Sequence, residues 1–344
     1  MDQRARIRPT LLATASAAVL LSGLAGCQIF RSNDDAPTSA TAPVATTSDQ
    51  QAAQDAADEA RTLAASGDRA AALAEFERAI AINPELTDAY LGAGDIYRER
   101  GDYELAEQRY GEAARIEPQN FDAQYLHGLA LQLLDRIDES VRAYLRALTI
   151  RPDDFNANLN LASALLQNDE AGQALPYAER AASINPSDGP ARVNLGTAYA
   201  GMGRHAEAIG QFEAATELMQ PTPELLLNLA DSYGREARFA EMAGTVRQVI
   251  ALQPSAEAFE RLGSAEFRSR RYQDALAAFT RATQLNAQHY PAHNGIAVCQ
   301  LNRYVWSERR DTAALDAALA AMRTSLRIEQ NQPRILDLLS KYGG

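Results

Sequence analysis

From residue 53 to residue 332 the apolar positions fall three and four residues apart, the spacing that keeps side chains on one face of a helix. One kind of segment reads small, large, small: Ala72-Phe76-Ala79, Ala106-Tyr110-Ala113, Ser140-Tyr144-Ala147, Ala208-Phe212-Ala215 and Ala275-Phe279-Ala282. The other kind carries one small residue: Ala60, Gly94, Gly128, Ala162, Gly196, Ala230, Gly263 or Ala297. Three residues on, six of these have a large one: Leu63, Tyr97, Leu131, Leu165, Tyr199 and Tyr233. The pattern predicts helix pairs, A then B. The aromatic of helix B fills the gap that neighbouring small residues leave. No strand is expected.

The pairs repeat. Pro84, Pro118, Pro152 and Pro186 are 34 residues apart, and Pro254 falls two periods later. Ala79, Ala113, Ala147, Ala181 and Ala215 keep the same step. Proline stops helix B because it lacks an N–H and fixes φ. Gly67, Gly101 and Gly203 open the turns between the helices, where a left-handed residue ends helix A. Eight units follow: 53–86, 87–120, 121–154, 155–188, 189–222, 223–255, 256–289 and 290–332. Unit 4 departs with Ala178 at the aromatic position and with Pro176 inside helix B, where a kink is expected. Unit 6 has Met242, Val246 and Val249, unit 7 ends in Ala287, and unit 8 holds about nine extra residues. Residues 333–344 read as a closing amphipathic helix with Ile335, Leu338, Leu339 and Tyr342 on one face.

A 34-residue period with these positions resembles the tetratricopeptide repeat (TPR) family, over residues 51–332. The resemblance implies an all-α solenoid, a right-handed superhelix whose A helices line a concave groove. It also implies binding without chemistry.

The first residues read as an address. Arg4, Arg6 and Arg8 precede an uncharged run from Leu11 to Leu24, too short to span a bilayer and suited to a secretory signal. The run ends in Leu24-Ala25-Gly26-Cys27. This resembles the lipobox of bacterial lipoproteins, which implies cleavage of residues 1–26 and acylation of Cys27. In that family Gln28, rather than Asp, favours the outer membrane, facing the periplasm. Residues 27–50 have no apolar period and read as a flexible tether.

Composition narrows the function. The chain has 344 residues, 33 Lys+Arg against 45 Asp+Glu and a net charge of −12. Cleavage would remove Asp2 and three arginines and make the remainder more acidic. Such a chain has no electrostatic footprint for a phosphate backbone, so nucleic acid is not expected as a partner. Two cysteines, Cys27 and Cys299, make neither a disulfide framework nor a four-cysteine zinc site. His289 and His293 are four apart, but Pro291 lies between them and no third ligand is evident. Cys299 reads as a small core residue. No cofactor, metal or enzymatic activity is expected.

The candidate site is the groove. Asn160, Asn194 and Asn228 occupy one helix A position in units 4, 5 and 6. They resemble the asparagine ladder of the TPR region of O-GlcNAc transferase, which holds a peptide backbone. An amide offers both a donor and an acceptor. Leu91, Asp95, Tyr125, Leu159, Leu227 and Asp231 are placed on the same concave face, with Asp88, Arg98, Asp122, Leu129, Val193 and Glu260. A mildly acidic, partly apolar groove suits an extended or helical segment with apolar and basic residues. The single lysine, Lys341, argues against clamping of a carboxylate terminus. Tyr304, Trp306, Arg309 and Arg310, in the unit 8 insertion, read as a second contact or as a longer helix A with Trp306 packed on the closing helix.

The expected function is a lipid-anchored envelope scaffold that binds segments of envelope proteins, such as those of pilus, outer-membrane protein or peptidoglycan-hydrolase machinery. The alternative is a nutrient-binding lipoprotein that captures a glycan or peptide.

Overall fold

The computed structural model describes residues 46–343, so the signal, the lipobox and Cys27 lie outside the described residues. The described residues form seventeen α-helices and no strand. The A helices are α1 (Thr47–Ala65), α3 (Thr87–Arg100), α5 (Phe121–Leu133), α7 (Phe155–Gln167), α9 (Gly189–Gly201), α11 (Pro223–Arg235), α13 (Ala256–Arg268) and α15 (Tyr290–Trp306). The B helices are α2 (Arg69–Ile82), α4 (Tyr103–Ile116), α6 (Ile137–Ile150), α8 (Ala171–Ile184), α10 (His205–Leu218), α12 (Phe239–Leu252), α14 (Tyr272–Leu285) and α16 (Thr312–Ile328). The last helix is α17 (Pro333–Tyr342). No helix among the described residues is long and apolar enough to cross a membrane.

Helix α1 begins four residues inside the stretch read as tether. The cause is a capping box. Thr46 Oγ1 accepts the Asp49 amide at 3.2 Å, and the Asp49 carboxylate accepts the Thr46 amide at 3.0 Å. Five of the later A helices are also capped by a side chain, without the reciprocal bond. Asn120, Asp154, Asp188, Thr222 and Ser255 each accept the amide three residues on. Helices α2, α4, α6, α8 and α12 end two residues before Pro84, Pro118, Pro152, Pro186 and Pro254.

The small–aromatic rule is a steric one. Tyr110, Tyr144 and Phe212 are fully buried. A Cβ added to Gly196 would lie 2.6 Å from the Phe212 ring, so helix A can approach only without one. In unit 4 the missing aromatic is replaced from neighbours. Ala178 is buried among Ala162, Ala181 and Leu195, with Leu175, Tyr177 and Tyr199 against them. Helix α8 runs through Pro176, which faces solvent. The insertion in unit 8 lengthens α15 and α16 to 17 residues each, against 13 in α13 and 14 in α14.

Each helix packs on the next along the chain. Beyond that, A helices touch the following A helix at α1/α3, α5/α7, α7/α9, α9/α11 and α13/α15, and no comparable contact joins successive B helices among the described residues. The chain therefore curves with the A helices inside, an α-solenoid.

Candidate functional site

Contacts between successive A helices join α5 to α11 in a continuous inner face, with α1/α3 and α13/α15 as separate contacting pairs towards its two ends. Leu91, Asp95, Tyr125, Leu159, Asn160, Val193, Asn194 and Leu227 are half-buried on it, and Asn228 and Asp231 are exposed. The spacing thus brings the expected row together, but the three asparagines are not equivalent. Asn160 Nδ2 donates to the Tyr125 hydroxyl at 3.1 Å. Asn194 Nδ2 donates to the Leu159 carbonyl, also at 3.1 Å. The Asn228 side chain makes no hydrogen bond to another of the described residues, although its backbone lies within α11. In units 4 and 5 one N–H is committed to the preceding A helix, which leaves the amide oxygen and the second N–H for a ligand.

The acidic character expected of this face is weaker than composition implies. Asp88 pairs with Arg61 at 2.8 Å, Asp95 with Arg98 at 3.3 Å and Asp122 with Arg151 at 3.7 Å; Asp231 pairs with Arg261. Asp95 also accepts the Tyr110 hydroxyl at 2.7 Å, and Glu260 accepts the Ser264 hydroxyl at 2.9 Å. Burial first, and then the Asp95 carboxylate, raise the Tyr110 pKa, so the phenol stays a donor. Paired carboxylates hold little charge in reserve for a basic partner.

Hollows occur at both ends of the row. One of about 460 Å³, in units 1 and 2, is lined by Arg61, Asp88, Leu91, Gly92, Asp95 and Glu99. Another of about 330 Å³ is bounded by Asp231, Arg235, Phe239 and Arg268 in units 6 and 7. A third of about 260 Å³ holds Glu260, Ser264, Asn294 and Val298 in units 7 and 8. Arg268 lies in the walls of the last two and stands 5.2 Å above the Phe239 ring. The asparagine row is the open stretch between the ends.

The four insertion residues do not form one surface. Tyr304 packs edge-on against Tyr342 of α17, ring centroids 6.4 Å apart. Trp306 is not packed on α17, as a longer helix A suggested. It is 75% exposed, with its ring 6.3 Å from that of Tyr272 in the preceding unit. Residues two apart on a helix point to nearly opposite sides, so only one of the pair can face α17. Arg309 and Arg310 lie in the turn after α15, and Arg310 pairs with Glu308.

Cys299 is buried, and burial pushes its thiol up to about 12, far from a thiolate at neutral pH. His293 Nε2 lies 3.0 Å from the Ala287 carbonyl, while His289 Nδ1 lies 3.9 Å from Glu257. The two rings therefore serve different neighbours.

A set of inter-repeat links was missed in the sequence. Tyr199 donates to Glu179 at 3.1 Å and Tyr233 to Glu213 at 2.5 Å, each across 20 residues. At the equivalent place in units 6 and 7 the charge is reversed, with Arg247 bound to buried Glu266. A position-by-position comparison of neighbouring repeats carried that signal.

Family models match this chain as repeats. A TPR repeat model matches residues 94–135, and a tetratricopeptide repeat model matches residues 165–230. A further tetratricopeptide repeat model matches residues 125–190, 227–290 and 260–328. Together they run from 94 to 328, and none describes a catalytic domain. A search of curated proteins gave no match. Among solved structures, YrrB, described as a TPR protein with an unusual peptide-binding site, is 23% identical. The match covers 53% of this chain and 94% of that one, with a TM-score of 0.49. MamA of Desulfovibrio magneticus RS-1 is 25% identical over 48% of this chain and 94% of its own, TM-score 0.46. The pilF protein of Pseudomonas aeruginosa is 18% identical over 60% and 94%, TM-score 0.49.

Proposed function

This chain belongs to the tetratricopeptide repeat family, and we propose that it is a membrane-anchored envelope scaffold that holds a segment of a partner protein along its inner face. The observation that carries the reading is the unbroken contact of α5, α7, α9 and α11. That contact aligns Tyr125, Leu159, Asn160, Val193, Asn194 and Leu227 as one half-buried strip, with exposed Asn228 at its end. Apolar side chains there still have surface to bury, and the amides have free acceptors. Because the neighbouring carboxylates are paired with arginines, the strip suits a segment with apolar residues and little net charge.

The anchor is the second half of the proposal. Leu24-Ala25-Gly26-Cys27 supplies an acylation site, and more than one acyl chain on Cys27 would give stable attachment. Attachment to the outer membrane, facing the periplasm, would confine the strip to envelope partners.

A photo-crosslinking residue placed at Asn228 should trap a defined envelope partner, while one at exposed Leu218 on α10 should not. Cys27→Ser should move the protein from the membrane fraction to the soluble one. Equal crosslinking from both positions sinks the groove reading, and an unchanged membrane fraction with Cys27→Ser sinks the anchor.

A further inference from the structure

The extra turn of α15 builds something the other repeats do not have. It carries Trp306 beyond the usual end of an A helix, to the start of α14, where its ring stands 6.3 Å from that of Tyr272 at an angle of 54°. Tyr272 is itself braced edge-on by Phe267, at 5.2 Å. Below the two rings lies a hollow of about 310 Å³. Its other walls are Gln273, Leu276, Gln300 and Asn302. That volume is at the lower end of the range for small-ligand pockets. None of these residues belongs to the inner-face strip.

The chemistry of the walls selects a ligand class. Three neutral amides surround an aromatic platform. The Gln300 Oε1 acceptor is closed to solvent and has no partner, a costly arrangement in a folded protein, and turning the terminal amide of this half-buried side chain would offer it a donor from the hollow. The one charged group in the wall, Arg303, is paired with Asp311 at 2.7 Å. Its Nε is held by the Asp311 carboxylate, which offsets the positive charge a phosphate or carboxylate would meet there. The Cys299 thiol, also in the wall, is kept neutral by burial. A hydrocarbon would strand the amides. A pyranose ring meets every requirement: its C–H faces stack on aromatic rings, and each edge hydroxyl both donates and accepts, as an amide does.

We infer that the hollow between α14 and α15 is a binding site for a neutral saccharide, with Trp306 and Tyr272 as the stacking platform and Gln273, Gln300 and Asn302 as the hydroxyl partners. The site is independent of the inner-face strip, so the protein could hold a glycan and a protein segment at once.

Trp306 is the only tryptophan of the chain, so intrinsic tryptophan fluorescence reports on this hollow alone. The full chain is titrated with chitotriose, cellotriose and maltotriose, and with a proline-rich peptide as the competing class of aromatic-stacking ligand. The expected result is a saturable spectral shift with at least one trisaccharide and none with the peptide. Gln300→Leu should weaken that saccharide about tenfold, roughly 1.4 kcal/mol. Trp306→Ala, read by calorimetry, should weaken it at least as much. Trp306 is exposed, so the variant should keep its helical circular dichroism, and Asn228→Ala should leave saccharide affinity unchanged. The inference is overturned by any of three results. They are no saturable response to any trisaccharide at about 10 mM, ten times the concentration for a 1 mM complex; a response to the peptide alone; or saccharide binding that survives Trp306→Ala.

Discussion

Asn194 on α9 donates its Nδ2–H to the carbonyl of Leu159 on α7, 3.1 Å away, so the residue tethers two repeats as well as facing the groove. Asn228 sits at the equivalent place one repeat later and makes no such bond. The two substitutions to alanine should therefore separate structure from binding. Asn194→Ala should cost about 1 kcal/mol of stability, the net worth of one hydrogen bond. Asn228→Ala should change stability by no more than about 0.5 kcal/mol. Both should lower affinity for the inner-face partner. Urea midpoints and partner affinities check this; an Asn228→Ala protein with full affinity would remove that amide from the binding strip.

The turn between helices A and B needs one left-handed residue. Gly67, Gly101 and Gly203 supply it at φ values of 90°, 84° and 77°. In units 3, 4, 6 and 7 the position is held by Asp135, Asp169, Ala237 and Arg270, with φ between 57° and 62°, and the longer turn of unit 8 has two such residues, Glu308 and Arg309. A left-handed conformation costs a non-glycine residue about 1–2 kcal/mol. Glycine relieves that cost but adds freedom to the unfolded chain, a loss of about 0.4–1 kcal/mol. Ala237→Gly and Arg270→Gly should each stabilise by about 0.5–1 kcal/mol and raise the urea midpoint. Gly101→Ala should do the reverse.

The repeat was legible because each helix meets only near neighbours, so the small–aromatic rule that packs one unit repeats in the next. Gly196 against Phe212 could be read from spacing alone. Spacing could not show which hydrogen bonds a neighbour consumes, as at Asn160 and Asn194, because that depends on how closely successive A helices approach. Spacing could not decide whether Trp306 packs on α17 or stays exposed, because Tyr304 and Trp306 lie two apart on α15 and only one of them can face that helix. Glu266 was passed over because a glutamate on an amphipathic helix normally faces water. The left-handed turns at Ala237 and Arg270 carry no glycine to announce them.

His127 on α5 gives a pH dependence. Its Nε2 lies 3.1 Å from the Glu107 carboxylate, which only accepts, so the neutral ring donates from Nε2. Its Nδ1 is buried with no partner. Protonation would put an unpartnered charged N–H in the interior. Burial accordingly lowers the pKa below 6.5; the Glu107 bond opposes this, and Arg146 and Arg136 add to it. A histidine whose folded pKa is depressed contributes stability that is complete above 6.5 and falls as the pH drops below it, because the unfolded chain binds the proton more readily. His127→Gln should flatten the loss of stability from about pH 6.5 downward, seen as a smaller difference between urea midpoints at pH 7.5 and pH 5.5. An unchanged difference would show that other groups govern acid sensitivity.

The sharpest test of the inter-repeat links is Glu266, 1% exposed on α13 and held by Arg247 of α12 and by Arg271. The two arginines are about half exposed, so each can return to water if the glutamate is lost. The glutamate cannot. Removing the anion should thus cost less than removing both cations. Glu266→Gln should cost about 1–2 kcal/mol, mainly from weaker hydrogen bonds. Arg247→Ala with Arg271→Ala should cost about 3–5 kcal/mol, because a buried carboxylate is left without compensation. Adding Glu266→Leu to that double variant should recover part of the loss, a coupling of opposite sign to simple addition. Urea melts of the three proteins measure it, and a triple variant less stable than the double one would show that Glu266 is not held as an anion in the folded chain.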